Sequence, residues 1–247
     1  MLLSDAAKEC GKATMFSASE SADALNYLAL AGYDAEKAAA TLPKVLDLAA
    51  AGGLDLAYAS DLVTDSMGAL GLETSQLDNY IDEMPRTYQK SNTSVAQLGE
   101  ATLVCAGAVS LTGQSLETMN ASLGVLANNG IKGAEGGTHL RNILQSLAAP
   151  TDTAAEAISE LGLQTSDSQG DMRNLADIIT DLNEKLGEMS STQKTQMISR
   201  IFNSTDITAV NALLKGMGEE YENLYTEISN CSGAAADMAK TLNDTLK

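Results

Sequence analysis

Ser17-Ala18-Ser19-Glu20-Ser21-Ala22-Asp23-Ala24-Leu25-Asn26-Tyr27-Leu28-Ala29-Leu30-Ala31, followed by Gly32, decides how the rest of the chain is read. Ser17 is a good N-cap and Glu20 stands three residues on. Together they make a capping box, in which each side chain accepts from the other residue's backbone N–H. Gly32 suits the turn that stops a helix. The residues between are mostly alanine and leucine, strong helix formers.

The same punctuation recurs outward from this stretch. Asp34 opens a helix to about Ala51, ended by Gly52-Gly53, and Pro43 inside it predicts a kink or break. Asp55 opens the next, with Leu56, Ala59, Leu62, Val63 and Met67 on one face. Thr74–Lys90 reads as a helix interrupted near Pro85, Ser94–Ser110 as another, and Ser115–Asn128 as one closed by the Asn129-Gly130 turn. Gly136-Gly137 reads as a link before a helix at Thr138–Ala148. Thr151 or Asp152 caps a helix to Leu161, and helices resume at about 174–187, 191–202, 206–216, 218–229 and 233–246. Upstream, Leu2, Leu3, Ala6, Ala7 and Cys10 form a helical stripe with no cap before it, so the chain is expected to begin inside a longer protein. One strand candidate stands out, a small β-hairpin near 163–173.

The expectation is therefore an all-α protein, a compact multi-helix bundle of helical hairpins. It divides into a helical core at 1–150 and a C-terminal helical subdomain at 151–247. Ser17–Ala29 aligns with Ser94–Ala106 at an offset of 77, and Leu48-Ala49 with Leu126-Ala127 at 78. Either the core holds two pseudo-repeated three-helix units, or the match reflects only shared helix-turn-helix chemistry.

Composition agrees. Hydrophobic residues make up 44% but aromatics only 4%, with no Trp and two Phe, so aliphatic residues and methionine must fill the core. Lys and Arg total 15 against 33 Asp and Glu, a formal charge of −18. No basic patch is left to neutralise phosphates, which argues against nucleic-acid binding and against anionic membrane surfaces. The longest apolar run, Leu103–Val109, is far short of a membrane span. Cys10, Cys105 and Cys231 are scattered and odd in number, which fits a reducing compartment better than a disulfide framework.

No catalytic, cofactor or metal residues are assigned. His139 is the single histidine, and any Ser-His-Asp or Cys-His arrangement would have to be built around it. One histidine and scattered cysteines give no tetrahedral zinc set. Val45–Pro85 carries acids and no Lys or Arg, with Asp61/Asp65 and Asp78/Asp82 as helical neighbours. These pairs make either a weak cation site or a solvated acidic face, and no EF-hand spacing is present. In Asn128-Asn129-Gly130-Ile131-Lys132-Gly133-Ala134-Glu135-Gly136-Gly137-Thr138, the glycines either cradle an anion at a helix N-terminus or permit close helix approach. The Gly-Lys-Ser/Thr ending of a phosphate-binding loop is missing.

Several of these stretches resemble the core region of phage tail tape measure proteins of the TP901 type. They are Phe16–Ala35, Leu42–Ala51, Asn129–Leu144 and Leu147–Pro150, then Glu160–Leu163, Asp171–Leu175, Ile201–Asn203 and Ala209–Leu214, in that order. The resemblance runs from about Ala6 to the end. It implies a non-enzymatic structural part of a phage or prophage tail that helps set tail length. The implied partners are the tail tube and distal tail proteins, tail assembly chaperones and further copies of the chain. The implied location is the bacterial cytoplasm during assembly and then the virion tail. Whole members of that family are several times longer. Two alternatives stand beside it: an independent helical adaptor or chaperone-like module, and a muralytic enzyme using two of the acids.

Overall fold

The computed structural model describes residues 2–245. It is 78% helical. The fourteen α-helices are α1 (Leu2–Ala13), α2 (Ala18–Leu30), α3 (Ala35–Gly52), α4 (Leu56–Leu70), α5 (Leu77–Lys90), α6 (Val95–Leu111), α7 (Leu116–Asn128), α8 (Gly133–Ala148), α9 (Asp152–Leu161), α10 (Leu175–Leu186), α11 (Ser191–Ile201), α12 (Ile207–Gly216), α13 (Glu219–Ser229) and α14 (Ala234–Thr245). Met1 and residue 246, the predicted end of the last helix, lie outside the described residues. Short 3-10 turns precede α5 (Thr74–Gln76) and α12 (Ser204–Asp206).

The caps read from the sequence are in place. Ser17 and Glu20 form the reciprocal capping box of α2. The side chains of Asp34, Asp55, Ser94, Ser115 and Thr151 accept from the first turns of α3, α4, α6, α7 and α9. Gly53, Gly71 and Gly162 end α3, α4 and α9 in the left-handed conformation.

Short links make consecutive helices antiparallel, so α1–α8 sort into two rows. The outer row is α2, α4, α6 and α8, each packed on the next; the inner row is α1, α3, α5 and α7, packed likewise. Outer-row helices start at residues 18, 56, 95 and 133, so one hairpin recurs every 38 or 39 residues. The offset of 77 to 78 in the sequence spans two such hairpins; the unit that stacks is two helices, as in an α-solenoid. The chain turns through α9, α10 and α11 and comes back along the other face of the inner row. There α12 covers α7 and α8, α13 covers α5 and α7, and α14 covers α3 and α5.

Of the inner row, α3, α5 and α7 are thus covered on both faces. Every residue from Thr118 to Ala127 of α7 is buried, and Ala49, Ala50 and Ala51 of α3 are buried together. One apolar cluster runs from Ala7 to Ala235.

Four local expectations need correction. Pro43 and Pro85 do not interrupt their helices: α3 and α5 run through them. A mid-helix proline costs about 3 kcal/mol, and burial of Leu42, Val45 and Leu46 around one, and of Ile81 and Met84 around the other, holds each helix together. Thr74–Gln76 is a 3-10 turn, and α5 begins at Leu77. Gly136 and Gly137 are not a link but lie inside α8, which begins at Gly133. Around the predicted hairpin a single antiparallel bridge, Ser166 to Met172, is formed, and no strand is present among the described residues.

Candidate functional site

The acidic stretch does not gather into a site. Asp61 and Asp65 are exposed along α4. Asp78 pairs with Lys44 of α3 at 3.0 Å. Asp82 reaches across to α14, where its carboxylate accepts from the backbone N–H of Gly233 at 2.7 Å and of Ala235 at 3.0 Å. It caps that helix from another element, satisfying two donors that helix geometry leaves unpaired. No three His, Cys, Asp or Glu side chains converge as a metal site among the described residues.

His139 has a partner that the sequence did not reveal. Its Nδ1 lies 2.7 Å from Oδ1 of Asp206, a side chain only 1% exposed. Asn142 and Asn203 donate to the same carboxylate at 3.1 and 3.3 Å. Glu135 stands 3.9 Å from the other ring nitrogen at the surface. The carboxylate is therefore met by three donors from α8 and the 3-10 turn. This arrangement ties the end of the stacked hairpins to the returning chain. Asp206 was legible only as a helix start.

A second buried acid, Glu83 of α5, is 2% exposed and accepts from Nδ2 of Asn120 on α7 at 2.8 Å. Burial pushes its pKa up to about 8, against the lowering effect of the Asn120 bond; Glu117 nearby adds to the rise. A glutamate that stays protonated near neutrality is a general-acid candidate by pKa. Its hydrogen-bond partner is an amide, the Asn120 side chain, and Glu117 lines the same small pocket. The sequence signal was a Glu set among Leu77, Tyr80, Ile81 and Met84, the buried face of α5.

The three thiols are buried. Burial raises all of them, Cys105 and Cys231 to about 12. Thiolate chemistry needs the opposite shift.

The glycine-rich stretch is a structural joint. Oδ1 of Asn128 accepts from the Asn92 backbone N–H at 2.7 Å, while Nδ2 of Asn128 donates to Glu220 of α13 at 2.7 Å. Nζ of Lys132 donates to the Asn92 carbonyl at 3.0 Å. A Cβ on Gly133 would meet the Glu100 carboxylate at 2.8 Å, so the protein's own acid stands where an anion would be cradled. Gly137 presses on the backbone of α6: a Cβ there would stand 2.2 Å from the Ala101 carbonyl oxygen.

What the fold displays instead is surface. Leu30 (77% exposed) and Leu111 (86% exposed) sit at the C-terminal ends of two outer-row helices, and an apolar groove runs between α1 and α2. Among the described residues, no helix is long and apolar enough to cross a membrane.

Comparison with known proteins points to phage tails. Residues 4–203 match the family model described as phage-related minor tail protein. The chain is 32% identical over 238 residues to the tape measure protein of Pneumococcus phage Dp-1, covering 96% of this chain and 21% of that protein. It is 26% identical over 243 residues to the probable tape measure protein of Escherichia phage P2, covering 97% of this chain and 30% of that protein. The chain thus spans under a third of the length of either relative. No solved structure matches it. The family model matches most of the chain, and this leads to one assignment: the chain belongs to the phage-related minor tail protein family.

Proposed function

We propose that this chain is the folded docking segment of a tape measure protein, of the TP901 type, that takes part in setting tail length without itself being the ruler. The similarity to the Dp-1 tape measure protein over 96% of the chain carries the reading. The fold favours docking over measuring. A fully extended helix of this length would reach roughly 370 Å, yet the longest helix here has 18 residues and the rest fold back upon it. The reading makes the protein structural and not an enzyme. Its partners are tail tube and distal tail proteins, assembly chaperones and further copies of the chain. It assembles in the host cytoplasm and ends in the virion tail.

Two in-frame deletions in a phage that encodes the chain test this. One removes residues 4–203; the other removes an equal length elsewhere in the same tail polypeptide. A docking segment predicts that the first abolishes normal tails or leaves tubes of irregular length, while the second shortens tails uniformly. Uniform, proportionate shortening by both, seen by electron microscopy, would make this segment part of the ruler.

A further inference from the structure

At its N-terminal end the two-row architecture leaves a position empty. Inside the array α2 rests on α3 and α4, and α6 on α7 and α8, each on the inner helix of its own hairpin and on the next outer helix; α4 rests on α3 and on α6. At the start of the array, α1 belongs to the inner row, since it packs on α2 and α3 as α3 packs on α4 and α5. The outer-row helix that would rest on α1 and α2 is missing. Its place is the groove lined by Leu3, Ala7, Ala18, Ala22, Leu25 and Ala29, about 540 Å³ of open space.

Stacked-repeat proteins close their ends with a polar outer face. At this end Ser4, Lys8, Ser19 and Asn26 supply polar side chains, but an apolar trough remains between them. Residues 18, 22, 25 and 29 lie at four-, three- and four-residue spacing along α2; three of them are alanines, which gives a backbone-sized trough lined also by Leu3 and Leu25. Lys8 lies on the rim and makes no salt bridge among the described residues.

We propose that this groove seats one further amphipathic helix, which runs parallel to α2 and completes the outer row. The helix comes from tape measure polypeptide outside these 247 residues. Its chemistry follows from the trough. It has a leucine- and alanine-rich stripe at three- and four-residue spacing, polar residues outward, and an acidic residue placed to meet Lys8. The relatives supply ample chain for it, since the matched region is 21% and 30% of their lengths. The source of the helix rests on the tape measure reading; the vacancy rests on the repeat geometry alone.

The test uses labelled, helix-length overlapping peptides that tile the Dp-1 tape measure protein outside its matched region. They are titrated with this chain, and binding is read by fluorescence anisotropy. One peptide, or two that overlap, carrying such a stripe is expected to bind. Affinity should fall at least about tenfold, roughly 1.4 kcal/mol, with Ala22→Asp or Ala29→Asp and hold with Ala69→Asp on α4. Residues 22, 29 and 69 are exposed, so each variant should keep the parent's circular dichroism and urea midpoint. No binding by any peptide, or binding indifferent to Ala22→Asp and Ala29→Asp, overturns the proposal. So does self-association of the chain that Ala22→Asp abolishes, which would make a second copy the occupant. Tail length is not read in this experiment, so its failure is separate from failure of the deletion test.

Discussion

Gly137 of α8 lies so close to Ala101 of α6 that a Cβ would stand 2.2 Å from the Ala101 carbonyl oxygen and 2.8 Å from its Cα. The obstacle is backbone, which cannot rotate away. α8 packs along α6 more extensively than any other pair of helices does, and the glycine is what permits that approach.

Gly137→Ala should therefore destabilise the protein by about 1–3 kcal/mol through overpacking, although alanine is the better helix former by about 1 kcal/mol. Gly107→Ala on the neighbouring helix should do the reverse. A Cβ there meets nothing within 4 Å, so the helix gains roughly 0.5–1 kcal/mol. Urea midpoints at unchanged m-value separate the two. Equal shifts of one sign would show that propensity, not contact, governs the α6–α8 joint.

The same glycines show where the sequence could be read and where it could not. Caps are local: Ser17, Asp34, Asp55, Ser94 and Ser115 each act within three residues, so a linear reading finds them. Gly136-Gly137 and the two prolines look like breaks under the same local rules, but packing against other helices overrides propensity at these sites. The two-helix repeat was visible only at twice its period, because the serine caps of α2 and α6 match, while Asp55 caps α4 between them and Lys132, ahead of α8, makes no side-chain cap bond. The buried acids were hidden for a related reason. Asp206 meets His139 across 67 residues and Glu83 meets Asn120 across 37, and nothing local marks either pairing.

His139→Ala should cost about 1–3 kcal/mol, the penalty for leaving a buried acceptor short of a donor, because Asp206 is 1% exposed on its side chain and His139 is its closest donor. Glu135→Gln removes only a 3.9 Å surface contact to the same ring and should stay within about 0.5 kcal/mol. Thermal or urea unfolding checks both. Comparable losses from the two variants would move the importance of His139 from Asp206 to the surface.

Asp82→Ala should remove the cap of α14, at a cost of about 0.5–2 kcal/mol. The effect should be local, because the two N–H groups that Asp82 accepts from, Gly233 and Ala235, belong to the last helix to be laid on the stack. Hydrogen exchange should quicken across Ala234–Thr245 while α7, buried throughout, stays protected. Asp82→Asn keeps an acceptor and should recover part of the protection. Uniform acceleration over the whole chain would show that Asp82 supports the core and not one helix end.

Glu83 makes stability depend on pH, and the direction follows from its raised pKa. The folded carboxyl holds its proton up to about 8, whereas an unfolded glutamate releases it near the ordinary 4.5. Below about 4.5 both states are protonated and the residue is neutral in effect. Between about 4.5 and 8 only the unfolded chain is ionised, so stability is lost steadily as pH rises, and above about 8 the loss is complete. Glu83→Gln removes the ionisation while keeping an acceptor for Asn120. The variant and parent should therefore be about equally stable near pH 4 and diverge through neutrality, the variant ending several kcal/mol ahead by pH 8. Other carboxylates titrate in both proteins, so the difference between the two urea-unfolding curves isolates this one. If that difference is flat from pH 4 to 8, Glu83 is ionised in the folded protein and a solvating partner must reach it between α5 and α7.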